Sequence, residues 1–451
     1  MVLNIHYSDA LDNRPAARRG TLRCVSPRKP GRCWLAARRA GAMLSRVTSP
    51  AEPGARDWQR VAVLLFASGW GANHFAPLLL VYRDQLGLDA AALALLFGAY
   101  ALGLMPGLLV AGPLSDRRGR RAVVLPSAAI AVVASAVLGA FGDRFGALLV
   151  GRLLYGLGAG GVMSAGATWL LELSLRAASA RGLSRDAATG AGARRATIAL
   201  SCGFGFGPLF SGVIAQYGPA PTAVPFAAHV VLLGGMLAIA RGAPETVERG
   251  ARAAARPMLR IELDRAGWRR FVRGVVPMAP FVFALPTIPT ASMPGMLDHA
   301  LGGAPIAYVG ILCVMTLFAG VGAQPITRRL SPALGARLGM IVGAAGVALG
   351  ALAVATQTPA LLLAVAPIMG GAYGMCMTAG LETVQRIALP DARGGITGLY
   401  YVLTYFGFAS PWLLAMASRI VAPASSLWLT AAVAAAVAVA LPRSVGDRAR
   451  G

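Results

Sequence analysis

The sequence predicts an all-α polytopic membrane protein, with twelve transmembrane helices in two six-helix bundles related by a pseudo-two-fold repeat. Three observations lead there. The apolar content is too high for a soluble surface, long apolar runs alternate with short polar links, and the two halves of the chain carry matching motifs. Of 451 residues, 56% are apolar and only 13% are charged, and the mean hydropathy is +0.63. Two or three soluble domains of this total length would need more charge than that to cover their surfaces. At about 20 residues per crossing, twelve crossings take roughly 240 residues, which the chain can supply.

The apolar runs fall at 61–82, 91–111, 122–141, 145–171, 196–217, 223–240, 274–295, 306–326, 338–356, 360–381, 395–418 and 422–441. Each is long enough to cross a bilayer. Glycine and proline occur inside most of them, which lipid tolerates because neighbouring helices and side chains re-satisfy the backbone. Small residues four apart, such as Gly103/Gly107 and Gly156/Gly160, let helices approach closely. Residues 1–57 have no such run and hold ten arginines. They read as a disordered basic tail, or as a start assigned too far upstream with Met43 nearer the true beginning. Their pattern also loosely resembles an organelle transit peptide, but they lack the apolar stretch of a secretory signal.

The net charge is +24, with 42 basic and 18 acidic residues. On a soluble chain that balance would suggest a nucleic-acid partner. Mapped along this chain, the charge marks topology. Links after even-numbered spans carry Arg117, Arg118, Arg120 and Arg121, then Arg176 through Arg195, then Arg241 through Arg273, then Arg328, Arg329 and Arg337, then Arg386 and Arg393. Links after odd-numbered spans carry only Arg83, Arg144 and Arg419. The positive-inside rule then places both termini in the cytoplasm and makes the span count even. No nucleic-acid partner is expected. The divisions are a first bundle at 58–240, a basic cytoplasmic linker at 241–273, a second bundle at 274–442 and a cytoplasmic tail at 443–451. Lys29 is the only lysine beside abundant Arg, Ala, Gly and Pro, a composition that suggests a GC-rich bacterial genome and hence the bacterial inner membrane. Five scattered cysteines, with no CxxC or Cys/His cluster, support neither a disulfide framework nor a metal site.

The repeat shows in two places. Span four reads Gly156-x-x-x-Gly160-x-x-Met163-Ser164-Ala165-Gly166, and span ten reads Gly370-x-x-x-Gly374-x-x-Met377-Thr378-Ala379-Gly380, 214 residues later. Span five contains Phe204-Gly205-Phe206-Gly207-Pro208, and span eleven Phe406-Gly407-Phe408-Ala409-Ser410-Pro411. Internal duplication of this kind is characteristic of secondary transporters, whose sites lie at the repeat interface near the midplane.

The strongest local signal is Gly112-Pro113-Leu114-Ser115-Asp116-Arg117-Arg118-Gly119-Arg120-Arg121, between spans two and three. Gly112 permits close packing at the membrane edge, Asp116 can neutralise arginines or face a helix start, and Arg117 and Arg120 can make charge-assisted bonds. The segment resembles the G-x-x-x-D-R-x-G-R-R loop signature of the major facilitator superfamily. The resemblance covers about residues 58–442, and it implies a loop acting as a conformational latch (Gly112, Asp116, Arg117, Gly119, Arg120, Arg121), with Asp116 facing the start of span eleven at Gly394-Gly395-Ile396-Thr397. A solvated turn obeying positive-inside is the plain alternative. The second-half counterpart, Gly322 to Arg329, has the glycine and arginines but no acid.

Three further segments are partial matches. Gly151-Arg152-Leu153-Leu154-Tyr155-Gly156-Leu157-Gly158 is similar to the superfamily's R-x-x-x-G-x-G helix motif, whose arginine is linked there to proton coupling. An intramembrane arginine usually faces a cavity or partner, though Arg152 could also snorkel to the outer interface. Gly203-x-x-x-Gly207-Pro208-x-x-x-Gly212 resembles the superfamily's antiporter signature, with Ser211 in place of a glycine. Pro208 predicts a helix kink, and a plain kinked packing helix would look the same. Pro244-Glu245-Thr246-x-x-Arg249 resembles a motif common in sugar porters and supports the fold more than any substrate.

Few other polar groups lie inside spans. Asn73, His74, Tyr100, His229, Tyr373 and Tyr405 are the cavity candidates, and His74, whose imidazole titrates near neutral pH, joins Arg152 as a proton-coupling candidate. A lone histidine in such a span is more often a bonded packing residue. No Asp or Glu lies mid-membrane, which favours neutral, zwitterionic or anionic substrates over cations. No P-loop is present, so the proton gradient is the expected energy source and no cofactor is expected. Taken together, the expectation is a monomeric, non-enzymatic secondary transporter in the lipid bilayer that exports a small drug-like or metabolic compound in exchange for protons. Proton-coupled uptake of a sugar or organic acid is the alternative, and a non-transporting membrane receptor the third reading.

Overall fold

The computed structural model describes residues 56–442 except 180, 181, 183, 248–260, 298, 299 and 390–392. The two terminal tails expected above, 1–55 of the first and all of the second, and part of the linker lie outside the described residues. Every regular element among the described residues is helical.

The first half contains α1 (Asp57–Asn73), α2 (Leu78–Leu86), α3 (Ala90–Arg118), α4 (Arg120–Ala140), α5 (Phe145–Ser179), α6 (Arg185–Tyr217) and α7 (Val224–Ala240). The second contains α8 (Arg265–Gly274), α9 (Phe281–Thr287), α10 (Met293–Met296), α11 (Pro305–Thr327), α12 (Pro332–Ala355), α13 (Leu362–Ile387), α14 (Arg393–Tyr405), α15 (Ser410–Ala417) and α16 (Pro423–Ala440). Apolar side chains form two cores. One draws on residues from Val61 to Ala243, joined by Val309, Cys313, Tyr405 and Phe408. The other draws on residues from Phe271 to Leu441.

Three spans that read as continuous in the sequence are interrupted. Span one bends by 41° between α1 and α2, where Asn73 to Pro77 form successive turns and Pro77 has no N–H to give. Span seven is α9 and α10 joined by a π-helical turn at Ile288–Ser292, with Pro286, Pro289 and Pro294 close together. Span eleven passes from α14 to α15 through a 3-10 turn at Phe406–Ala409. Hydroxyl groups take up carbonyls that such irregularities loosen. Thr287 donates to the Phe283 carbonyl at 2.8 Å, and Thr290 to that of Pro286 at 2.7 Å.

Other helices run past their apolar segments. α3 continues to Arg118, through Pro113, and α5 to Ser179; hydropathy marks where the apolar run ends and not where the helix does. Between α3 and α4 the breaker is Gly119, at φ 104°, a conformation that side chains disfavour. α8 is an additional short helix, begun by Asp264, whose carboxylate accepts the Gly267 N–H at 2.6 Å.

The repeated glycines do the same job in both halves. A Cβ on Gly156 or Gly160 would meet the backbone carbonyl of Tyr100 or Leu104 on α3, and one on Gly370 or Gly374 that of Thr316 or Gly320 on α11. Spans two and four, and likewise eight and ten, therefore pack backbone to backbone, which only glycine allows.

Candidate functional site

At the arginine-rich end of the first bundle, the loop signature forms a bonded network. Arg120 is 4% exposed at its side chain and pairs with Asp116 at 2.5 Å and with Glu172 of α5 at 2.7 Å. Its Nε also faces both Glu172 oxygens, and Nη1 donates to the Ser115 hydroxyl at 2.6 Å. Glu172 in turn accepts from the Thr246 hydroxyl. Glu245 lies at the start of α4 and accepts the N–H groups of Arg120 and Arg121 at 2.9 and 3.0 Å. A carboxylate there satisfies two of the four orphan N–H groups and meets the positive end of the helix dipole. Trp169 and Arg176 of α5 hold the same segment through the carbonyls of Pro244, Glu245 and Thr246. Sequence reading found the loop and the Pro-Glu-Thr motif separately. It did not show that they form one device.

Asp116 does not sit on the start of span eleven, as the resemblance implied. Among the described residues it has no hydrogen bond or ion pair to Gly394–Thr397, and its partner is Arg120. The other end of the molecule gives a physical reason, because the inter-bundle bonds cluster there. Arg419, just beyond α15, pairs with Asp89 at the start of α3 at 2.7 Å. Gln216 of α6 accepts the Ile306 N–H of α11 at 2.9 Å and reaches the Gly303 carbonyl at 3.5 Å. With the bundles tied at the arginine-poor end, the latch residues turn inward to their own bundle.

Between the two ends lies a buried cluster. Arg152 of α5 is 1% exposed, so it does not snorkel to an interface. It donates to the carbonyls of Leu96 and Phe97 on α3, both at 3.1 Å, and lies over the rings of Phe75 and Tyr100 at 4.4 and 4.9 Å. The carbonyls and aromatic faces stabilise the cation without a carboxylate. Tyr155, one turn on, donates to the Ser68 carbonyl at 2.8 Å.

The two histidines differ. His229 Nε2 lies 3.0 Å from the Ala67 carbonyl and Nδ1 2.9 Å from the Ser135 hydroxyl. A carbonyl can only accept, so Nε2 carries a proton and Nδ1 accepts from Ser135 in the neutral ring. Both nitrogens are used, as a bonded packing residue would use them. His74 is equally buried, yet neither ring nitrogen has a hydrogen-bond partner among the described residues. It sits at the break of span one, with its ring 4.5 Å from Phe226 and 5.4 Å from His229. Its backbone carbonyl accepts from Ser211 of α6 at 2.7 Å. The departure from the antiporter-like pattern thus supplies a hydroxyl for the carbonyl that the break frees. Pro208 lies inside the continuous helix α6, and a Cβ on Gly207 would meet the Trp70 carbonyl.

The aromatic candidates form a layer across the bundles. Tyr100 faces Tyr155 at 6.2 Å and Phe408 at 6.3 Å. Phe283 of α9 stacks on Tyr405 at 4.9 Å and on Tyr373 at 6.0 Å, and meets Phe408 at 5.2 Å. Asn73 ends α1 half-buried and joins no ring contact. Phe283 and Phe408 were not among the expected cavity residues. Only Phe408 left a sequence signal, its place in the repeated Phe-Gly-Phe segment.

Comparison with known proteins fits this architecture. The chain belongs to the Major Facilitator Superfamily, whose family profile matches residues 61–411. It is therefore a multi-pass membrane transporter with the twelve-helix fold of that superfamily. Over 76 residues it is 39% identical to the multidrug resistance protein MdtL of Escherichia coli O45:K1 (strain S88 / ExPEC), a match that covers 17% of this chain and 19% of that protein. Among solved structures it resembles a POT family transporter in complex with 5-aminolevulinic acid (TM-score 0.69, 10% identity, 86% of this chain and 94% of that one). It also resembles a D-xylose-proton symporter (TM-score 0.65, 16% identity, 85% and 97%).

Proposed function

We propose that the protein exports a small neutral or anionic organic compound in exchange for protons, by alternating access, from the cytoplasm across the bacterial inner membrane. The arginine-rich end is then cytoplasmic, and the arrangement described is closed at the outer end. The observation that carries the coupling is the His74 ring, buried at the break of span one with neither nitrogen hydrogen-bonded among the described residues. Arg152, held among the described residues by carbonyls and rings alone, leaves net positive charge beside it, which favours a substrate with negative or no charge. The aromatic layer of Phe283, Tyr373, Tyr405 and Phe408 offers an apolar ring-binding surface. The direction rests on the partial likeness to a multidrug resistance protein and on the antiporter-like pattern of span five.

The latch supports gating. When the arginine-rich ends close, Asp116 can leave Arg120 for the start of α14, while Glu172 keeps Arg120 neutralised. The expected result is that Asp116→Asn impairs transport without abolishing membrane insertion. Full flux by that variant, measured in sealed vesicles with an imposed pH gradient, would remove the latch from the mechanism.

A further inference from the structure

We propose that the groove beside α8 binds the phosphate headgroup of an acidic phospholipid at the arginine-rich face of the second bundle. α8 presents Arg269, Arg270 and Arg273 to a groove closed by the start of α12 at Pro332 and Ala333 and by Leu441 at the end of α16. None of the three arginines has an acidic partner among the described residues, and the nearby Asp264 carboxylate is engaged by the Gly267 N–H. The helix itself is firmly placed, since Gly267 and Phe271 are buried against the second core. Its other face leaves Trp268 and Val272 exposed, a tryptophan and an aliphatic side chain beside arginines, as in helices that lie in the membrane interface.

The apolar contact would come from α8 itself, whose exposed Trp268 and Val272 can meet acyl chains while the headgroup meets three guanidiniums. Guanidinium pairs with phosphate oxygens in a bidentate manner. A free phosphate would gain the charge contact but not the apolar one. The groove therefore fits a lipid better than a soluble anion.

The test is native mass spectrometry of the full-length protein in detergent, titrated with phosphatidylglycerol or phosphatidylcholine. Wild type is expected to prefer phosphatidylglycerol. Each guanidinium near an anionic surface is worth about a fivefold change in binding, so the triple variant Arg269→Gln/Arg270→Gln/Arg273→Gln should lose about a hundredfold. Arg270→Gln alone should lose about fivefold and serves if the triple variant fails to fold. Arg328→Gln/Arg329→Gln, at the same end but outside the groove, should bind as wild type does. Equal binding of the two lipids, undiminished phosphatidylglycerol binding by the groove variants, or displacement by glycerol phosphate at lipid-like concentrations would each overturn the proposal.

Discussion

Asp89→Asn separates two tasks of one side chain. Asp89 caps α3, accepting the Ala92 N–H at 2.8 Å, and pairs with Arg419 across the bundles at 2.7 Å. Asparagine caps a helix about as well as aspartate, so the substitution spares the cap and removes the ion pair. The two side chains are 58% and 61% exposed, and such pairs contribute about 0–1 kcal/mol after solvent screening. The closed population at the outer end should therefore fall by no more than about fivefold relative to the open one. Spin labels at Asp143→Cys and Ser425→Cys in a cysteine-free background would report the distance across that end. Raising the salt to about 1 M, where the screening length is about 3 Å, should move wild type toward the variant.

The pH dependence of this contact also has a definite sign. The Ala92 N–H bond is the main cause holding the Asp89 carboxyl below its ordinary value of 3.8; burial opposes it, and Arg419 adds to the lowering. A depressed pKa stabilises the paired state above the ordinary value and loses that stabilisation as pH falls through the lowered one. The difference in label distance between wild type and Asp89→Asn should then be constant across neutral and mildly acidic pH. A fall in the closed population of Asp89→Asn far beyond about fivefold, or a shift that salt at about 1 M does not reproduce in wild type, would refute the reasoning.

Three other substitutions probe the remaining parts. Glu245→Ala removes the acceptor for two N–H groups at the start of α4 and should cost about 1 kcal/mol, read as a lower unfolding temperature in detergent. Gly156→Val puts a side chain onto the Tyr100 carbonyl, where backbone meets backbone and neither helix can yield. Its cost should reach or exceed about 1–3 kcal/mol, seen as loss of the monodisperse peak in size-exclusion chromatography. His74→Phe replaces an imidazole without hydrogen-bond partners among the described residues by an apolar ring, so stability should hold or rise by about 1–3 kcal/mol while proton-driven flux is lost. A stable variant that still transports would return His74 to a packing role.

The architecture was legible in the sequence because bilayer crossing imposes long apolar runs and the arginines mark one side. What stayed hidden follows from the same source. Hydropathy does not register where a span breaks, so the interruptions at 74–77, 288–292 and 406–409 were invisible, although Pro77, Pro286, Pro289 and Pro294 hinted at two of them. α8 was absorbed into the basic linker because its four arginines mask Trp268, Phe271 and Val272. At the site, Asp116 and Arg120 were legible from their spacing. Glu172 and Glu245 lie 52 and 125 residues from Arg120, and only the fold brings them together. His74 and His229 looked alike in sequence. Ser135 and Ala67 distinguish them, and no local pattern encodes those contacts.

Proton-driven export is tested most directly by flux in inverted membrane vesicles holding the full-length protein, energised so that the lumen is acidic. A panel of neutral and anionic aromatic compounds would be offered from outside. The account predicts accumulation in the lumen, abolished by a protonophore and by His74→Phe. Accumulation instead in right-side-out vesicles, under a proton gradient directed inward, would contradict it and establish uptake.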